Sequence, residues 1–192
     1  DEYRKQRALD SLKKALLGEN PPPEAVERLA DVKAVEVCDH ARTVPFFQDR
    51  RLIVAGGVEA YDDNDLKALE HYAEEPTTST TVVFWCNSNL DRRKKLWKFF
   101  EQREAAFTFP HLVGASRRSR IAAEANRLGL KLTPEAISYL DYALAPDLYT
   151  IVRELEKLAV YADGAELDAD AVKQTATTSR PESAYDMVKL VG

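Results

Sequence analysis

The chain has 192 residues, 45% hydrophobic and 31% charged, with a formal net charge of −5; at about 100 to 200 residues per domain it makes one large domain or two small ones. A mean hydropathy of −0.40, with no apolar run near the ~20 residues that span a bilayer, excludes a transmembrane helix. Two cysteines, Cys38 and Cys86, make neither a disulfide framework nor a thiol-rich zinc site and point to a reducing cytoplasm, while a pI near 5.4 argues against a free-standing nucleic-acid binder.

The chain opens on Asp1 rather than Met, with no signal-peptide pattern after it, and reads as a fragment or the ordered part of one. A first helix is predicted over Glu2–Leu17, with Leu9, Leu12, Leu16 and Leu17 at helical spacing and Gly18 as its stop. A short helix follows over 22–30, because proline is tolerated in a first turn. Residues 32–37 alternate as a half-buried strand does. Residues 52–55 and 81–85 are denser in apolar side chains and read as buried strands of a mainly parallel sheet. Helices are predicted between and after them, over 65–73 and 90–103, and a last short strand over 107–109. Strands that alternate with helices imply crossover units and an α/β first half.

After Pro110 the pattern turns helical, over 116–128, 134–143, 147–162 and 169–177. The punctuation is Gly129, Thr133 ahead of Pro134, Pro146, and Asp163-Gly164. Ile151, Leu155 and Leu158 form one stripe with Val152 beside it, so that helix needs partners, and a small bundle follows.

The search for chemistry is mostly negative. His40, His71 and His111 are scattered without metal-ligand spacing and read as surface or structural residues. Asp62, Asp63 and Asp65 resemble a paired acidic site, but their place between a strand and a helix favours N-capping. Gly56-Gly57 follows a strand and matches neither G-x-x-x-x-G-K-[ST] nor G-x-G-x-x-G, so a plain turn is the better reading. The expected sets of catalytic residues, cofactors and metal ligands are empty.

Two segments remain distinctive. In residues 41–52, Phe46 and Phe47 follow Pro45 just before a strand. Adjacent residues cannot share one face of a regular element, so the rings either cap the core or leave one exposed as an interface anchor. In residues 89–98, Arg92, Arg93, Lys94 and Lys95 run consecutively. They are read as a solvated helix face behind an Asn89 cap, or alternatively as a basic patch for nucleic acid or an acidic partner. Arg117-Arg118-Ser119-Arg120 has the same ambiguity.

Taken in order, these stretches resemble a known family, the delta subunit of the bacterial DNA polymerase III clamp loader. The likeness runs from Asp1-Glu2-Tyr3 through Thr43-Val44-Pro45-Phe46-Phe47-Gln48-Asp49-Arg50-Arg51-Leu52, Leu90-Asp91-Arg92-Arg93-Lys94-Lys95-Leu96 and Leu128-Gly129-Leu130-Lys131-Leu132-Thr133-Pro134-Glu135-Ala136. It continues through the diagnostic stretch Asp147-Leu148-Tyr149-Thr150-Ile151-Val152-Arg153-Glu154-Leu155-Glu156-Lys157-Leu158-Ala159-Val160-Tyr161 to Tyr185-Asp186-Met187-Val188.

The resemblance implies an AAA+-like parallel sheet flanked by helices over 1–112, followed by a small all-helical lid over 113–192. It implies a subunit without ATPase activity. Gly56-Gly57-Val58 stands where an active ATPase would place its magnesium-binding acids, and Asn87 either occupies a polar sensor position or caps a helix. The family's hydrophobic wedge for the ring-shaped sliding clamp maps onto Val44, Phe46 and Phe47, with Pro45 stiffening the turn. Expected partners are the sliding clamp, other loader subunits through a C-terminal collar domain that this sequence lacks, and DNA only within the assembled loader; no membrane is involved. The family's first strand, before helix one, is also missing. Two other readings stand beside this one: an active AAA+ ATPase whose phosphate loop lies upstream of Asp1, and a purely structural adaptor.

Overall fold

The computed structural model describes residues 1–44, 49–88, 90–144 and 147–176. They divide into two compact units, one of Gln6–Thr108 and one of Asp1–Lys5 with the described residues from Phe109 onward.

In the first unit, three strands pair in parallel in the order β1 (Val26–Leu29), β2 (Arg51–Gly56), β3 (Thr80–Trp85). Central β2 is the apolar run of the sequence, and its Leu52, Ile53, Val54 and Ala55 are all buried. Because side chains alternate across a strand, β2 feeds two cores. Leu52 and Val54 pack with Leu9 of α1 (Glu2–Leu17), while Ile53 and Ala55 pack with Val37 and Ala41 of α2 (Ala34–Arg42). Leu66 and Leu69 of α3 (Asp63–Glu74) extend the second layer with Leu96 and Phe99 of α4 (Lys95–Glu101). The result is a parallel sheet flanked by helices, as the pattern of elements requires.

Three expectations are corrected here. Residues 22–30 are not a helix: Pro23–Ala25 make one 3-10 turn, after which Val26 is extended and opens β1. Residues 32–37 are not a strand. Ala34, Val37, Cys38 and Ala41 form a buried stripe at i, i+3, i+4 and i+7, and a window ending at Val37 was too short to separate that from alternation. Residues 107–109 are not a strand; Phe107 is 76% exposed, and the Phe109 ring and Pro110 carbonyl are taken by the Arg4 guanidinium instead. The helix expected over 90–103 shortens to α4, because the Asp91 carboxylate accepts from the Arg93 backbone N–H at 2.9 Å and makes a turn there.

In the second unit, α5 (Gly114–Arg127), α6 (Pro134–Ala143), α7 (Leu148–Ala162) and α8 (Ala169–Thr175) surround one core. Ile151, Leu155 and Leu158 of α7 are fully buried with Ile121, Leu140 and Val172, as the predicted stripe requires. Thr133 caps α6 by accepting from Ala136 N–H at 3.2 Å, and Asp147 caps α7. Glu124 of α5 is buried with its carboxylate held by Tyr3 Oη at 3.0 Å, Arg120 at 2.6 Å and Arg127 at 2.8 Å. Burial pushes its carboxyl up, and the hydrogen bonds from Arg127 and Tyr3 outweigh this, leaving it below the usual glutamate range. An addition to the helical pattern is a parallel pair of two-residue strands, β4 (Lys131–Leu132) and β5 (Glu166–Leu167), which are too short to show a period. Among the described residues no helix is long and apolar enough to cross a membrane.

Candidate functional site

The end of α2 is the described part of the expected clamp-binding segment. At this helix end the His40 carbonyl accepts from the Thr43 N–H at 3.2 Å, and the His40 and Thr43 carbonyls also share one side-chain donor. Arg51, the first residue of β2, donates its guanidinium to the His40 carbonyl and, at 2.8 Å, to the Thr43 carbonyl. On its other side Arg51 lies 3.6 Å from the Glu27 carboxylate of β1, which also meets His40 Nδ1 at 2.7 Å. Thr43 adds its own bond, Oγ1 to the Asp39 carbonyl at 3.1 Å. Val44 emerges from this tied helix end 69% exposed. Pro45, Phe46 and Phe47 lie outside the described residues.

The carboxyl ends of parallel strands are where α/β sheets hold ligands. There β2 runs into Gly56-Gly57, and Gly57 sits at φ 79° with Asp31 Oδ1 2.9 Å from where a Cβ would stand. A side chain at that position would be strained by the left-handed backbone and would require the Asp31 carboxylate to shift. Glu59 accepts from the Asn87 backbone N–H at 3.3 Å after β3, and Asn87 caps no helix, since α4 is preceded by Lys94. The neighbouring Tyr61 hydroxyl is pushed up to about 12, first by burial and then by Asp65, so it stays a neutral phenol.

The acidic trio takes the capping role. Asp62 accepts from Asn64 and Asp65 N–H, and Asp65 accepts in return from Asp62 N–H at 3.0 Å, closing a capping box at the start of α3. These backbone bonds hold the Asp62 carboxyl below its ordinary value. Buried Asp65 also accepts from Ala34 N–H at 2.9 Å and Lys33 Nζ at 3.2 Å, joining the starts of α2 and α3. Asp63 pairs with Lys95 at 3.1 Å.

The basic run is not a helix face: of its four cations only Lys95 lies in α4, and Asn89 is outside the described residues. Arg92 lies over the Trp97 ring at 5.2 Å and Arg93 forks onto Asp91 at 2.8–3.2 Å. In the second unit Arg117 and Arg118 meet Asp141 at 3.3 and 3.4 Å. The histidines stay apart, with His40 on Glu27 and His71 3.4 Å from Glu74, and no group of three metal-ligating side chains exists among the described residues.

Sequence reasoning missed Arg51 and Glu27 as a pair that organises the end of α2. Arg51 was visible only as the second of two arginines before an apolar strand, and nothing in its spacing says that it reaches back to residues 40 and 43.

Residues 28–109, from β1 through the end of α4 and beyond, match the family described as DNA polymerase III, delta subunit. The resemblance read in the sequence therefore stands. The fold of this delta-like chain is shared with the Bacillus subtilis DNA clamp loader delta protein, at a TM-score of 0.70 and 21% identity over 93% of this chain and 56% of that one. The chain is also similar to replication factor C small subunits, that of Methanocella arvoryzae being 25% identical over 85% of this chain and that of Natronomonas pharaonis 26% over 84%. The chain spans about half the length of these relatives, 49% and 48% respectively.

Proposed function

We propose that this chain is a non-catalytic clamp-loader subunit of the DNA polymerase III holoenzyme. It binds the ring-shaped sliding clamp through Val44, Pro45, Phe46 and Phe47 and helps to hold the ring open for loading onto DNA. The observation that carries this reading is an apolar side chain, Val44, exposed at a helix end fixed by Arg51, inside the stretch that matches the delta family. Aromatic rings beside it would enter an apolar pocket on the clamp, burying large area at low entropy cost. A closed ring under strain then opens through differential binding, with no bond chemistry in this subunit.

In this reading residues 1–112 act as a degenerate AAA+ domain and 113–192 as its lid, in the cytoplasm. Assembly with other loader subunits runs through a collar domain, and DNA is met only in the assembled loader. The glycine held in left-handed backbone at position 57 supports the non-catalytic assignment, because the resemblance puts a magnesium-binding acid of an active ATPase there. The competing ATPase reading predicts turnover by the purified chain that a mutation in this chain abolishes; the expected result is no turnover.

The deciding experiment is calorimetry with the cognate sliding clamp. Phe46→Ala and Phe47→Ala are each expected to weaken binding by about 2 kcal/mol or more, as interface anchors do, with unchanged thermal unfolding. Parental affinity in both variants would sink the wedge assignment.

A further inference from the structure

We draw no further inference here: the strongest candidate, the outer edge of the apolar strand β3 (Thr80–Trp85), beside which no further strand pairs among the described residues, carries none, because nothing in the structure shows what covers it.

Discussion

The helical unit gathers Ile121, Leu140, Ile151, Leu155 and Leu158 into one continuous core, whereas the sheet unit divides its apolar residues between the two faces of β2. Their polar ties differ in the same way. Buried Glu124 in the helical unit is held by side chains, Tyr3, Arg120 and Arg127, while buried Asp65 in the sheet unit is held by the backbone amides of Ala34 and Asp62 together with Lys33. In the helical unit polar groups fasten the outside of a core that already specifies its packing. In the sheet unit they fasten helix and strand ends, Asp65 at the starts of α2 and α3 and Arg51 at the start of β2.

The largest expected effects test the division of cores. Leu155→Ala should cost about 3 kcal/mol in denaturant unfolding, as a fully buried leucine in a continuous core does. Combined with Leu140→Ala, the loss should depart from the sum of the two single losses by more than about 0.5 kcal/mol. In the sheet unit, Leu52→Ala and Val37→Ala lie on opposite faces of β2, and their losses should add within about 0.5 kcal/mol. Additivity in both units would erase the distinction.

Next in size is the acid response of the helical unit. The folded Glu124 carboxyl lies below its unfolded value of about 4.3, so its contribution is fully present above that pH and is lost as pH falls through the folded value. Thermal melts should therefore drop below about pH 4, and Glu124→Gln should flatten the drop while lowering stability at neutral pH. A pH profile unchanged by the substitution would show that other carboxylates govern it.

A smaller effect separates the two kinds of helix start. Thr133→Ala removes the α6 cap and should cost about 1 kcal/mol. Asp62→Ala opens the α3 capping box and, through Asp65, should also loosen the start of α2. Faster amide exchange at Ala34 in that variant, with none at α6, is the expected signature. The smallest effect belongs to the basic run. Because Arg92 and Arg93 are engaged with Trp97 and Asp91 and the chain is acidic overall, replacing both with Ala should leave clamp binding unchanged. Isolated DNA affinity should be weak and fall steeply with salt; tight, salt-resistant binding of primed DNA would mark a missed nucleic-acid site.

Much of the molecule follows from local pattern. The stripe on α7, the apolar run of β2, the Thr133-Pro134 start of α6 and the Asp62 cap all depend on residues within a turn or a few positions of one another, and each is legible because the period or the cap chemistry is complete within that window. The order of residues also carried the family resemblance and placed Val44, Pro45, Phe46 and Phe47 in it. Where the window was incomplete the reading failed: Val26–Leu29 was too short and too close to Pro22-Pro23 to show as a strand, and α2 needed Ala41 to reveal its helical stripe. Other features were decided only by tertiary structure, because they join residues with no fixed spacing. Arg51 reaches back to His40, Thr43 and Glu27, Asp65 reaches Ala34, Tyr3 reaches Glu124 across 121 positions, and the Asp31 carboxylate lies 2.9 Å from where a Cβ at Gly57 would stand. A sequence specifies which polar groups must find partners when buried, but which partner is within hydrogen-bond reach depends on how strands and helices are brought side by side.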